Sequence, residues 1–403
     1  MNTVCLSGLG FAALVFLAYG WMESAPASPG GVKTEIAKAN NAFALDLYAR
    51  LSTRPGNLFF SPASISTALA MTYAGARGQT AQEMATTLHF KTEGQGMHPA
   101  FGALLRDLNK QGKGKGYRLS VANALWAQQG YSFLPEFVEL TKTDYGAGVH
   151  DVDFVGATEA ARQTINTWVE KQTEDKIKDL LPRGVIGSDT RLVLTNAIYF
   201  KGNWQTQFKK EQTRELPFQV AADQKVNAPF MNQSGKFKYL DGDTFQALEL
   251  PYAGKDLAMI ALLPKQPDGL AEFEKLLSAA KLVDLLHKMR ETEVIMSLPK
   301  FKLTSEFGLK ETLSTMGMQL AFSSSADFSG MDGKRDLFLS AVIHKAFVDV
   351  NEEGTEAAAA TGVAVKALAM RVKPIFRADH PFLFLIQDQQ SGSILFLGRL
   401  ANP

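Results

Sequence analysis

Six histidines, His89, His98, His150, His287, His344 and His380, are the first residues to examine for chemistry, and they lie scattered along 403 residues without metal-ligand spacing. His344 sits inside an apolar run, where a histidine is ordinarily a hydrogen-bonded core residue rather than a ligand or base. No His-Glu-x-x-His zinc motif, Gly-x-Ser-x-Gly elbow or phosphate-binding glycine loop occurs. Gly187-Ser188 and Gly392-Ser393 lack the flanking glycine pattern of a nucleophile turn. The single cysteine, Cys5, allows neither a disulfide nor a cysteine-type zinc site elsewhere in the chain. These absences argue against an enzyme, a metal or a cofactor. What remains is one long segment that fits neither an ordinary helix nor an ordinary connection.

That segment, Glu352 to Val372, reads Glu-Glu-Gly-Thr-Glu-Ala-Ala-Ala-Ala-Thr-Gly-Val-Ala-Val-Lys-Ala-Leu-Ala-Met-Arg-Val. Alanine favours helix, but Gly354 and Gly362 interrupt it and no amphipathic stripe develops. It is far longer than the usual connection of about 4–6 residues, and long loops in compact domains are usually functional. With period two, Thr355, Ala357, Ala359, Thr361, Val363 and Val365 share one small or β-branched, uncharged face. Glu356, Ala358, Ala360, Gly362, Ala364 and Lys366 share the other. No proline interrupts Thr355 to Lys373, so every backbone N–H is free to join a ladder. A flexible alanine-rich linker and a strand able to insert into a sheet both fit these residues.

The surrounding elements must hold such a segment. The chain is 46% hydrophobic and 21% charged with a net charge of +1, which points to an ordinary globular protein and to no nucleic-acid partner. Length alone suggests two or three domains at roughly 150 residues each. Apolar residues from Ile36 to Leu51 recur at helical spacing. Ser61 followed by Pro62 marks a helix N-cap and first turn, with Gly75 as its end. Thr80-Ala81-Gln82-Glu83 reads as a capping box opening a further helix, and another covers His98 to Leu108. Strands follow over Arg118–Trp126, Arg191–Phe200, Leu257–Leu263 and Leu337–Val350, with a C-terminal hairpin at Phe382–Gln387 and Ser393–Leu397. Helices first and long, non-alternating strands afterwards predict an α+β fold around a large sheet. The N-terminal stretch Val4 to Met22 is apolar and leads into small residues, as in an export signal. It carries no preceding Lys or Arg and nearly reaches bilayer-spanning length, so a retained anchor is the other reading.

The residues Glu352-Glu353-Gly354-Thr355-Glu356-Ala357-Ala358-Ala359-Ala360-Thr361 resemble the reactive-loop hinge of inhibitory serpins. Asn57 to Met71, Asn196 to Trp204, Leu298-Pro299-Lys300-Phe301, Ala341 to Ala346 and Asp379 to Phe384 resemble further blocks of that family, in its order. The resemblance implies a single serpin domain over residues 33–403, after residues 1–30 as signal or anchor. It also implies three β-sheets, about nine helices and an exposed reactive loop at about 352–373. The implied activity is suicide inhibition: a serine protease, or a cysteine protease, attacks the loop, forms an acyl-enzyme, and is trapped when the freed arm enters the main sheet.

Counting from Gly354 as in family members places the scissile bond at Leu368–Ala369 and predicts a chymotrypsin- or elastase-like target. Counting back from Pro381 points nearer Met370, and Arg371 with Lys366 keeps a trypsin-like target open. The resemblance assigns Ser61, Ser64, Asn196 and His344 to a polar cluster beneath the main sheet, and Glu352, Lys300 and Trp204 to the base of the loop. With the N-terminal segment read as an export signal, a secreted or periplasmic monomer is expected, or a membrane-anchored one if that segment is retained. Lys110, Lys113, Lys115 and Arg118 are separated by glycines and read as a solvated loop, so no polyanion partner is expected. A non-inhibitory carrier, chaperone or storage protein of the same fold is the alternative, but such members tend to have bulky, charged or proline-containing hinges. Ala357 to Thr361 has none of these.

Overall fold

The computed structural model describes residues 29–91, 96–112, 116–355 and 373–403. The apolar stretch with Cys5, the hinge residues Glu356 to Thr361, the bond candidates Leu368, Ala369, Met370 and Arg371, and Lys113 and Lys115 lie outside the described residues. Ten α-helices occur among those described. They are α1 (Pro29–Leu51), α2 (Pro62–Tyr73), α3 (Gly78–Thr87), α4 (Met97–Gly112), α5 (Pro135–Tyr145), α6 (Thr158–Gln172), α7 (Leu270–Leu276), α8 (Ala279–Lys288), α9 (Lys310–Thr315) and α10 (Ser329–Asp332).

Local signals set some of these boundaries. The Ser61 side chain accepts the Ser64 N–H at 3.1 Å and Pro62 occupies the first turn, where its missing N–H costs nothing. The helix ends at Tyr73, just before Gly75. The capping box expected at Thr80 to Glu83 is not one: α3 already begins at Gly78 after Arg77. Thr80 Oγ1 instead accepts the Asp327 N–H at 2.9 Å, and Glu83 Oε2 accepts the Leu320 N–H at 2.8 Å. Tertiary partners have taken the groups that local capping would have used.

The strands in chain order are β1 (Leu58–Phe60), β2 (Tyr117–Gln128), β3 (Val149–Val152), β4 (Leu192–Asn203), β5 (Arg214–Ala221), β6 (Gln224–Asp241), β7 (Phe245–Pro251) and β8 (Leu257–Pro264). There follow β9 (Arg290–Pro299), β10 (Phe301–Gly308), β11 (Leu339–Val350), β12 (Gly354–Thr355), β13 (Ile375–Arg377), β14 (Phe382–Asp388) and β15 (Ile394–Leu400). Of the three sheets expected, hydrogen bonding runs two together. The long β6 pairs β5 and β9 along most of its length and β7 at its end. The network therefore resolves into a nine-stranded sheet and a six-stranded one in the order β10-β11-β4-β2-β3, with β12 on β4.

Strand β4 explains why the sequence showed no alternation. Leu192, Leu194, Ile198 and Phe200 join the main core with Ile65 and Leu69 of α2. Val193 and Ala197 join a second core with Trp126, Ile165 and Val169, the last two from α6. A strand buried on both faces is apolar at successive positions. Its neighbours β2 and β11 run antiparallel and parallel to it, respectively.

Candidate functional site

The site lies where β4 and β11 part. Their parallel pairing runs from Leu339 opposite Leu192 to Phe347 opposite Tyr199 and then stops. Beyond it the chain turns at Asn351 to Gly354, whose backbones exchange hydrogen bonds of 2.9 and 3.2 Å. Gly354 then pairs antiparallel with Asn203, and Thr355 with Gly202. The first residues of the loop thus already occupy a strand position beside β4. Gly354 has φ +143°, and a Cβ there would lie 2.0 Å from Gly202 O and 2.5 Å from Asn203 Cα, so only glycine fits.

The turn is held on every side. Trp204 N–H donates to Glu353 O at 3.0 Å, Phe208 N–H to Glu352 O at 2.9 Å, and the Trp204 indole N–H to Asn351 O at 2.9 Å. The indole stacks on Tyr252 at 4.7 Å. The buried Glu352 carboxylate meets Lys300 Nζ at 2.9 Å and accepts the Thr213 hydroxyl at 2.8 Å. Burial opposes its ionisation, but the ammonium and the hydrogen bonds outweigh it and hold the carboxyl below its usual range. Lys210 pairs with Glu353 at 2.7 Å on the outer side.

Lower down, a polar row crosses three strands. His344 of β11 is opposite Asn196 of β4, which is opposite Asn123 of β2. His344 Nε2 accepts the Ser61 N–H at 3.1 Å, so Nδ1 carries the proton and donates to Asn196 Oδ1. The Asn196 amide donates to Ser64 Oγ at 2.5 Å and to Asn123 Oδ1. Ser61 Oγ donates to Leu395 O at 2.6 Å, tying the start of α2 to β15. The row therefore spans the β4–β11 seam.

The opposite face of that seam is strapped by the segment after α6. Arg118 of β2 pairs with Glu174 at 2.5 Å, and Lys176 Nζ lies 5.6 Å over the Tyr199 ring of β4. Lys345 of β11 donates to Lys178 O at 2.9 Å while pairing with Glu306 of β10 at 2.9 Å. Glu174, Asp175 and Asp179 in the strap all have positive φ. Among the described residues no group of three His, Cys, Asp or Glu side chains could hold a metal ion. No helix there is long and apolar enough to cross a membrane.

Comparison with known proteins gives this arrangement its context. A family model described as Serpin (serine protease inhibitor) matches residues 38–403. Human leukocyte elastase inhibitor is 46% identical over 381 residues, covering 92% of this chain and 100% of that protein. Serpin48 of the insect Tenebrio molitor is similar in structure, with a TM-score of 0.83 at 33% identity over 95% of this chain and 100% of that one. Uncleaved ovalbumin also scores 0.83, at 31% identity over 92% and 100% of the two chains.

The chain belongs to the serpin family. All seven residues assigned by resemblance to sheet and loop base are described, and they fall into two groups: Ser61, Ser64, Asn196 and His344 in the row, Glu352, Lys300 and Trp204 at the turn. Sequence reasoning missed Asn123, Thr213, Asn351 and Lys345. Asn123 alone left a signal, a single amide within the apolar run Val121 to Trp126. Arg118, read as part of a solvated loop, is engaged by the strap.

Two predictions follow from this geometry. Gly354→Ala in this serpin should push the turn off β4, raising exchange of the Trp204 amide at least about tenfold; unchanged protection would mean the turn tolerates a Cβ. The second concerns His344, whose burial lowers its pKa from 6.5 to about 3. A proton on Nε2 would face the Ser61 N–H, donor against donor. The native state thus binds fewer protons than the unfolded chain between pH 3 and 6.5. The stability it contributes is complete above pH 6.5 and falls by up to about 1.4 kcal/mol per unit as pH drops through that window. Denaturation midpoints of His344→Gln should fall less steeply with pH than those of the natural protein. Equal slopes would assign the acid sensitivity elsewhere.

Proposed function

We propose that this serpin is a suicide-substrate inhibitor of an elastase- or chymotrypsin-like serine protease, trapping the acyl-enzyme by inserting its cut loop between β4 and β11. The observation that carries this reading is the register of β12: an antiparallel strand has begun at the open end of the seam, and it points down it. Serpin loop insertion is itself the standing general example of strand addition and stored strain released on cleavage.

Continuing the register places Ala357 opposite Phe200, Ala359 opposite Ile198, Val363 opposite Leu194 and Val365 opposite Leu192. All four β4 partners belong to the main core. The uncharged face of the loop would therefore enter the core, where space is close-packed and small side chains are needed. Glu356 would arrive opposite Lys201, whose other neighbour is Arg118, giving its carboxylate cationic partners on the outer face.

In the covalent step the protease serine oxygen attacks the carbonyl of Leu368. The bond to Ala369 nitrogen breaks, the amine leaves with a proton, and an ester joins the two proteins. The count from Gly354 supports Leu368, and an uncharged primary pocket suits it. The 46%-identical relative is named for leukocyte elastase, which supports the same class. Met370 and Arg371 are the alternate positions, and a cysteine protease able to form the corresponding thioester is a secondary target. The small, proline-free hinge favours inhibition over a carrier or storage role. Export remains our reading of the N-terminal segment.

Mixing the protein from Lys33 onward separately with pancreatic elastase, chymotrypsin and trypsin should give, with elastase or chymotrypsin, an SDS-resistant band near the summed mass. The released C-terminal fragment should begin at Ala369. Clean cleavage by all three without a complex would overturn the inhibitory reading. A fragment starting after Met370 or Arg371 would move the bond. Thr355→Arg should convert the inhibitor to a substrate, with cleavage retained and complex yield down at least about tenfold, because an unpaired charge on the inward face at the mouth of the seam would oppose extension of the ladder that begins there. Wild-type yield from that variant would refute the insertion register.

A further inference from the structure

Most large apolar side chains are buried, but Ile295 and Ile375 are 45% and 59% exposed, the only isoleucines so exposed among the described residues. They are direct partners: Ile375 of β13 lies opposite Ile295 of β9 in a parallel pair, so both side chains stand on the same face. Their neighbours Val294, Met296 and Phe376 point the other way and are buried. The pair is bordered by the Lys373–Glu293 ion pair at 2.6 Å on one side and by the exposed Arg377 on the other. An apolar centre with a charged rim is the usual anatomy of a protein-binding patch.

Its position identifies the occupant. The described chain resumes at Lys373 and is fixed at once, with Ile295 N–H donating to Pro374 O at 3.0 Å. Lys373 lies five residue steps after Leu368, a span of at most about 18 Å fully extended. A globular protease domain of roughly 200 residues has a radius of gyration of about 16 Å. A protease with Leu368 in its active site therefore reaches as far as the tether does, and β13 is the terminal strand of the sheet on that side. Met370 or Arg371 as the cut position would bring it closer still.

We propose that Ile295 and Ile375 form an apolar docking site for the target protease, adjoining the C-terminal side of the reactive loop and strengthening the encounter complex before acylation. This rests on the inhibitory reading above. The patch contributes to initial binding and not to sheet insertion, because neither β9 nor β13 pairs with β4 or β11.

The test uses the protease that forms the SDS-resistant complex with the natural protein, pancreatic elastase or chymotrypsin. Failure of every protease to do so defeats the inhibitory reading itself and the docking site with it. With that protease, the Ile295→Thr/Ile375→Thr double variant should show a half-saturating concentration raised roughly tenfold. The limiting rate of complex formation, the stoichiometry and the thermal midpoint should be unchanged. Val155→Thr, an exposed apolar residue on another face, should match the natural protein. An unchanged half-saturating concentration overturns the proposal, and so does a loss confined to the limiting rate. Should the double variant fold poorly, hydrogen exchange on the natural protein bound to elastase or chymotrypsin lacking its active-site serine decides: protection of residues 290–297 and 373–377 supports docking, and none refutes it.

Discussion

The seam between β4 and β11 is the constraint on which the rest of the structure depends. The two strands pair in parallel, the arrangement that is slightly less stable per residue. A strand inserted between them would exchange that one parallel ladder for two antiparallel ones, while burying a face of alanine, threonine and valine. The closed sheet is therefore a state with something to gain by opening. Its persistence has to come from contacts made across the seam and from the covalent intactness of the loop, which keeps the hinge tethered to β13 at its far end. The turn at Asn351 to Gly354 sets the starting point, with two residues already in register at the top. Insertion can then proceed by extending an existing ladder, without the entropic cost of finding the first pair.

Contacts across the seam come from both faces of the sheet and differ in kind. On the core face, His344, Asn196 and Asn123 are joined side chain to side chain and anchored to α2 through Ser61 and Ser64. These are buried groups, so an opening that left them unpaired would be expensive, and their geometry requires a neutral imidazole. On the outer face the strap from Glu174 to Asp179 touches β2, β4 and β11 through Arg118, Tyr199 and Lys345. Its left-handed, non-glycine residues are backbone conformations that survive only while surrounding contacts hold them. Separating β4 from β11 stretches this strap, so the two faces resist opening by different means: unpaired polar groups below, strained chain above.

What could be read from the sequence divides along the range of the interactions. Ser61 and Pro62 were legible because a cap is decided within four residues. The long strands were legible from composition and from their lack of alternation, which in β4 reflects burial on both faces. Thr80 and Glu83 misled because their local pattern was right while their partners lay more than 200 positions away. The number of sheets depended on where one long strand, β6, changes partners, and nothing in its composition marks that point. Lys345 reads as an ordinary strand lysine, yet its side chain is only 14% exposed beneath the strap. Resemblance located the row and the turn, and the backbone register supplied what resemblance could not, the direction and phase of the strand that begins at Gly354.

That phase would also account for Thr361, the polar residue that ends the alanine run on the inward face. Under the proposed insertion, continuing the register of β12 would bring Thr361 opposite Asn196, at the level where the seam is polar and not apolar. Opening the seam there breaks the contact between His344 Nδ1 and Asn196, and an alanine in that position would leave a buried donor and acceptor facing hydrocarbon, at roughly 1–3 kcal/mol for each group unsatisfied. A hydroxyl both donates and accepts, and a β-branched side chain suits a strand interior. The alanine run thus ends where the core stops being apolar. The same polar row that resists opening of the empty seam is the place where an inserted strand would have to supply a matching group, so in the proposed insertion the lock and the loop would be complementary at a single position.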